Sequence, residues 1–417
     1  MAVVGIGICA AVGLVVFWPT GKAPDLGSRP NRFVDATITK VQVDDCPSIE
    51  VAGALSGCRI YEVRIDTGAE TGSDAAFTVL ETQFEVPELE VGDEVVLLDS
   101  PSSPTQFRYA FADLQRTLPL VGLAVLFGVV VLAFGRLRGL RALLGLGASA
   151  MVLVVFIVPA LLRDSPSLPV ALVGTITVAY FALYLAHGVN PATTVALAGT
   201  LASLAVIALL SAGVASLAHL SGLGDDAAQT IRVTAGAIDL RGLLVAGFIV
   251  GALGVLDDVT VTQVSTVQAL LRADPDVNRL HLYREATHVG RDHIASTVNT
   301  LVLAYAGASL PLLLFFAQGN APTGRILTGE LVSVEIIRML VGSIGLVLSV
   351  PFTTALAAVC LTPEHALVGH DHGHSHRHDH RHDDRNNRGR GAGHAGEETR
   401  GEDPSTGPKW EDFGPRD

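Results

Sequence analysis

The feature that most limits how this chain can fold is a succession of apolar runs, of which "LPLVGLAVLFGVVVLAF" at 118–134 is typical. A bilayer core about 30 Å thick takes roughly 20 apolar residues per helix, and that ruler finds about eight runs. They cover 2–18, 117–135, 142–162, 168–187, 193–217, 242–264, 294–317 and 331–361. Hydrophobic residues make up 49% of the 417 and charged residues only 17%. That leaves too little polar surface for a water-soluble protein of this size. The expected fold class is an α-helical polytopic membrane protein whose first partner is the lipid bilayer.

Arginines in short loops set the orientation. Arg136, Arg138 and Arg141 in "RLRGLR", and Arg272, Arg279, Arg284 and Arg291 in the 265–293 connector, fall on one side when eight runs are threaded. That side is read as cytoplasmic. Residues 1–19 lack the basic start of a cleaved signal and are read as a membrane anchor. Residues 20–116 then lie outside, residues 117–361 form a seven-helix transmembrane domain, and residues 362–417 lie inside. Between the first two runs, period-two stretches such as "RFVDATITKVQV", "CRIYEVRID" and "GDEVVLLD" alternate with Gly, Pro, Asp and Ser clusters. They predict a small extracytoplasmic β-rich domain, compact enough for a barrel. Cys46 and Cys58 fall there, on the side where disulfides survive, and are expected to be bonded. Cys9 and Cys360 fall in apolar runs and read as packing residues. From Thr20 to Arg116 there are 17 acidic against 8 basic residues. That balance disfavours nucleic acid as a partner. Docking, gating or binding are the roles open to the segment, beside the plainer one of a solvated cap.

The chemistry centres on "GALGVLDDVTVTQ", residues 251–263, where two aspartates close an apolar run. Gly254, Gly251 and Gly247 lie four, seven and eleven residues before Asp258, and Thr262 and Ser265 lie four and seven after it. All six share one helix face. Glycines on such a face let a neighbouring helix come close. An ionised carboxylate in hydrocarbon costs at least about 2.5 kcal/mol, so Asp258 is expected to face a cavity or a partner. Asp257 points about 100° away, toward the interface or an arginine. With the sixth run ending near Val264, Asp258 lies about 9 Å inside that end, and Asn299 about 7 to 8 Å inside the start of the seventh. Antiparallel neighbours bring these depths level. Asp258, Thr262, Asn299 and Thr300, with Asp257 beside them, are the expected polar site for a proton or a hard cation. A competing reading ends the span near Leu256 and makes the aspartates N-caps of an interfacial helix. In the last run, Glu335 and Arg338 are spaced to pair. Pro351 is expected to kink that helix, with Thr353 and Thr354 satisfying the freed backbone groups.

After Leu361 apolar residues nearly vanish, and the tail is expected to be disordered. Its seven alternating histidines are His370, His372, His374, His376, His378, His380 and His382. Imidazoles on a flexible strand suit a divalent metal such as zinc, nickel, cobalt or copper, whether as nonspecific chelation or as a sensing or delivery device. There is no phosphate loop, no zinc-peptidase motif and no Gly-x-Ser-x-Gly elbow, and His288 and His293 flank only Arg291 and Asp292. An enzyme is not expected.

The stretches "GALGVLDDVTVTQVSTVQAL", "VGRDHIASTVNTLVLAYAGASLPLLL" and "EIIRMLVGSIGLVLSVPFTT" resemble the hallmark stretches of the YibE/F family of bacterial membrane proteins. The resemblance runs from the β-domain through "YAFADLQRTLPL" to the last run, and it implies a multi-pass protein of the bacterial cytoplasmic membrane. It supplies no substrate. By it, Asp258 matches the family's Asp after the Gly-rich run, Asn299 and Thr300 its Asn-Thr pair, and Pro351 its Val-Pro. The chain departs from the family pattern in carrying Asp257 beside Asp258 and in its histidine-rich tail. Two functions follow as expectations. One is a transporter or channel for an ion or small solute, divalent metal included, working at the polar site. The other is a non-transporting assembly factor whose β-domain recruits partners. Either is open to a homo-oligomer or to another membrane protein as partner.

Overall fold

A computed structural model of the chain describes residues 2–20, 32–44, 58–80, 87–101, 103–104, 108–163, 165–224, 226–235, 238–318 and 322–363. Cys46 and the histidines from His370 to His382 lie outside the described residues, and with them the expected disulfide and the expected metal-binding tail. The side chain of Cys58 is also outside the description.

Five strands form one antiparallel sheet in the order β3-β2-β1-β4-β5. They are β1 (Arg32–Asp44), β2 (Cys58–Ile65), β3 (Asp74–Leu80), β4 (Glu94–Asp99) and β5 (Tyr109–Leu114). The period-two reading is realised side chain by side chain. Val34, Ala36 and Ile38 of β1, Tyr61, Val63 and Ile65 of β2, Phe77 and Val79 of β3, and Val95 and Leu97 of β4 bury one face. The sheet curls, and Phe77 of β3 reaches Phe111 of β5 with ring centroids 6.1 Å apart. Register shifts at Ile38/Lys40 and Val96/Leu97 supply the local bends. One charged group faces the core: the Asp99 side chain is only 8% exposed. Arg108 Nε donates to Asp99 Oδ1 at 2.8 Å, a second Arg108 nitrogen sits 2.9 Å from Glu70 Oε1, and the Tyr109 hydroxyl donates to Glu70 Oε2 at 2.9 Å. Those bonds raise the Arg108 pKa. Burial pushes the Tyr109 hydroxyl up to about 12, and its bond to Glu70 acts the same way.

The rest is helical. In chain order come α1 (Ala2–Val16), α2 (Thr117–Val152), a π-helical turn at Leu153–Ile157, α3 (Val158–Leu162), α4 (Ser167–His187), α5 (Pro191–Leu217) and α6 (Asp226–Ala235). They are followed by α7 (Leu240–Ala273), α8 (Arg279–Ala308), α9 (Leu310–Gln318), α10 (Thr323–Thr328) and α11 (Glu330–Cys360). Among the described residues, five helices are long and apolar enough to cross a membrane: Thr117–Leu162, α4, α5, α7 and α11. α8 with Leu310–Phe316 makes a sixth if its 61° bend is taken within one span. α1, at 15 residues, is shorter than these.

Two connectors read from the sequence are helical instead. "RLRGLR" is helical on either side of a break at Arg136 (φ 47°, ψ −127°), where two helices meet and the chain turns sharply enough to set Gly139 against the Val131 carbonyl with no room for a Cβ. The 265–293 segment is mostly the end of α7 and the start of α8, because nothing breaks the helix before Asp274 and Pro275. Asn278 then caps α8 by accepting from the Leu280 amide at 2.8 Å. Before its break, α2 buries no residue, and Phe134 is 90% exposed. A wholly apolar, unburied helix of this length matches lipid as its surroundings, not water.

α5, α7 and α11 form the centre, with α4 and α8 packed against it. Contacts run from Ala192, Val195 and Ala196 with Val264, Val267 and Leu271 at one end to Leu204 and Ile207 with Ile249 and Leu253 further along, so α5 and α7 are antiparallel. Polar clamps fix the helix ends. Arg279 donates to the carbonyls of Ala358, Val359 (2.8 Å) and Leu361 (3.2 Å), which cancels the unpaired acceptors at the C-terminus of α11. At the other end of α11, Glu330 accepts from the Ser221 amide at 2.7 Å and the Gly222 amide at 2.8 Å.

Replacing Asp99 with Ala leaves Arg108 with one partner and is expected to destabilise the sheet by about 1.5–3 kcal/mol, read as faster hydrogen exchange at β4 and β5. The raised Tyr109 pKa means the folded state holds its proton more tightly than the unfolded chain. Its contribution is therefore intact below pH about 10 and lost as pH rises toward about 12. Thermal unfolding followed by the infrared β-sheet band is expected to show that alkaline decline, and Tyr109→Phe is expected to flatten it.

Candidate functional site

Where α5, α7 and α11 cross, the buried surface turns polar. Thr200 and Ser203 of α5, Thr260 and Gln263 of α7, and Ser349, Thr353 and Thr354 of α11 are all buried. Helices can carry such residues through an apolar interior because a Thr or Ser hydroxyl donates to a carbonyl of its own preceding turn. Thr200 does so to Ala196 (3.1 Å), Ser203 to Gly199 (2.9 Å) and Thr354 to Val350 (2.6 Å). Gly199 allows the crossing: a Cβ there would collide with the Thr353 hydroxyl, so α5 and α11 meet almost backbone to backbone. The Thr353 hydroxyl is buried without a hydrogen-bond partner. The expected repair of the backbone at Pro351 takes a different form, since Thr354 binds the Val350 carbonyl and Thr353 binds none. α11 runs through Pro351 as one helix.

Asp257 completes this cluster. Thr200 and Thr260 hydroxyls lie 2.9 Å apart, and Thr260 also donates to the Asp257 carbonyl at 3.2 Å. The Asp257 carboxyl sits beside the Thr200 hydroxyl, and its Oδ1 is buried with no partner. Among the described residues no Lys, Arg or His pairs with it. The neighbouring Gln263 ties α7 to α8 by donating to the Ala286 carbonyl at 2.6 Å, and Gly290 leaves room for its Oε1. What results is a carboxyl beside the Thr200 hydroxyl, with one oxygen free to take a proton or a cation.

The sequence reading placed the inward face one residue away. Asp258, Thr262, Gly247, Gly251 and Gly254 are all exposed, as are Asn299 and Thr300. No hydrogen bond joins Asp258 to Thr262, Asn299 or Thr300 among the described residues, and the Thr300 hydroxyl instead donates to the Ser296 carbonyl at 3.0 Å. The levels agree only to about one turn: Val255 and Val259 of α7 and Ile294 and Val298 of α8 share one cluster, and on antiparallel helices this sets Asp258 beside residue 295, with Asn299 about 6 Å further along. Asp257, expected at the interface or on an arginine, points inward because α7 buries the face of Leu253, Leu256, Val259 and Thr260 and leaves its glycines outside. Thr200, Thr260 and Gln263 were missed. The signal available was their recurrence among apolar residues in the "ALAGTLASL" and "DDVTVTQV" stretches.

Glu335 and Arg338 pair as their spacing implies, at 3.0 Å, with the guanidinium 5.5 Å from the centre of the Phe248 ring. Cys9 and Cys360 are free and exposed, not packed. Among the described residues no group of three or more His, Cys, Asp or Glu side chains could hold a metal ion.

Residues 123–363 match the model of a protein family described as YibE/F-like protein. The match takes in more than half of the chain, which belongs to that family. No curated protein and no solved structure matches it.

Introducing Val at Gly199 is expected to push α5 off α11 and to cost about 1–3 kcal/mol, lowering the thermal stability of the detergent-solubilised protein. Gly213→Ala, on the same helix but with nothing within 4 Å of the new Cβ, is expected to leave it unchanged.

Proposed function

We propose that this member of the YibE/F-like family moves an ion or small solute across the bacterial cytoplasmic membrane, with Asp257 as the protonatable group of its pathway. The reading takes eight spans, the β-domain outside and the C-terminus inside, as the arginine distribution favours.

Depth supports it. α4 has 21 residues, about 32 Å of helix, and so serves as a ruler for the hydrocarbon core. It ends at His187, and α5 starts at Pro191 on the same side. Thr200 is nine residues, about 14 Å, along α5 from that boundary. Thr260 is level with Thr200, and Asp257 lies three residues, about 4 to 5 Å, further from the boundary on antiparallel α7. That is close to mid-membrane. An ionisable side chain at such depth is costly and marks an ion or proton route more often than a structural joint.

The observation that carries the proposal is the free, buried Asp257 Oδ1 without a counter-charge. A carboxyl serving only to lock helices would have both oxygens bonded, as a packed polar network in a membrane does. Protonated, Asp257 is neutral and tolerable there. Ionised, it draws a cation to its free oxygen and the neighbouring hydroxyls of Thr200 and Thr260. The cargo classes this supports are the proton itself, sodium, and divalent metals that the histidine-rich tail would gather inside.

Purified protein in vesicles is expected to pass at least one of proton, sodium, zinc, nickel or cobalt above protein-free vesicles. Asp257→Asn is expected to lower that flux at least tenfold with unchanged abundance, while Asp257→Glu keeps part of it. Wild-type flux from Asp257→Asn would contradict the role given to the carboxyl. Loss of folded protein in Asp257→Asn would favour the assembly-factor reading instead.

A further inference from the structure

Asp258 adjoins Asp257 and shares its depth, yet it lies on the outside of the chain. Around it the outer surface of α7 and α8 is unlike the lipid-facing surface of α2. Thr262 and Ser265 follow on α7, and Ser296, Asn299 and Thr300 are exposed on α8, with Ser296 level with Asp258 and Asn299 about one turn further along. The face is also shallow. A Cβ at Gly247 or Gly254 would meet nothing within 4 Å, and one at Gly251 would meet only the Tyr305 hydroxyl at 3.2 Å. Gly251 and Asp258 differ by seven residues, about 20° around the helix, so Asp258 opens toward the α8 side.

A carboxyl at this depth facing acyl chains would carry the cost of burying an unpaired polar group in hydrocarbon. Something must cover it. We propose that the α7–α8 face is the interface with a second copy of this chain, packed about a two-fold axis so that Asp258 of one copy accepts from Ser296 and Asn299 of the other. The face is complementary to itself. It carries a carboxyl that accepts on α7 and the Asn299 amide and Ser296 hydroxyl that donate on α8, and a two-fold axis sets each of these against the other. The open glycines let the two α7 helices approach closely enough for those short side chains to meet. A two-fold pairing therefore gives Asp258 its donors from residues the chain already has. The inference rests on membrane depth and not on transport, so it stands or falls separately from the role of Asp257.

The test uses the full-length chain in membranes, its four native cysteines replaced. A single cysteine at Gly254 or Thr262 is expected to give an oxidant-dependent dimer, and one at Phe134, on the lipid-facing helix, is not. Gly254→Leu is expected to weaken dimerisation at least tenfold by single-molecule photobleaching across a dilution series in lipid, while leaving the monomer folded, because the added side chain enters open space within the chain. A monomeric wild type whose Asp258→Cys and Asn299→Cys variants react with a water-borne maleimide would overturn the proposal in favour of a water-filled cleft. A dimer indifferent to Gly254→Leu would overturn it in favour of another interface.

Discussion

The contact on which the rest of the structure turns is the meeting of Thr200 and Thr260 hydroxyls across α5 and α7, 2.9 Å apart. Each hydroxyl also reaches a carbonyl of its own preceding turn, so what the pair adds is a cross-helix contact that sets the height and the rotation of α7 relative to α5. Rotation decides which aspartate is inside. With Thr260 turned to α5, Asp257, three residues earlier, shares its face, and Asp258 is carried round to the exterior.

Close packing on the third helix holds this arrangement. Gly199 lets Thr353 of α11 into the gap beside Thr200, and Gly345 receives Ile207 further along the same pair of helices. The ends are secured by charge acting on helix termini: Arg279 on the last carbonyls of α11, and Glu330 on the amides of Ser221 and Gly222. Between those clamps the three helices have little freedom to slide. A carboxyl can then be kept at a fixed depth with an unbonded oxygen, a state that a looser bundle would relieve by rotating it toward water or a partner.

Much of this was legible from the chain. Apolar run length marked the five long apolar helices, although eight runs were counted, and period-two alternation marked β1, β2 and β4 but not β3. Rotation was not legible, because two packing rules compete on α7. Glycines at 247, 251 and 254 argue for a close-packed inner face, while Leu253, Leu256, Val259 and Val264 argue for a bulky one a short turn away. Inside this chain the bulky face won, and the close approach is made instead between α5 and α11, at Gly199 and Gly345. That complementarity lives on other helices, far along the sequence, and no local pattern on α7 reports it. The helical continuity of 265–273 and 279–293 was hidden for a different reason: polar helices projecting beyond a bilayer read as loops to a ruler tuned only for hydrocarbon.

A cysteine pair at positions 200 and 260, in a chain freed of its native cysteines, measures the central contact most directly. In native membranes the two are expected to oxidise readily to an intramolecular disulfide, with pairs shifted to 200 and 258 or 200 and 262 failing to do so. Efficient bonding of 200 with 258 and none with 260 would mean that α7 is rotated and that the other aspartate faces inward.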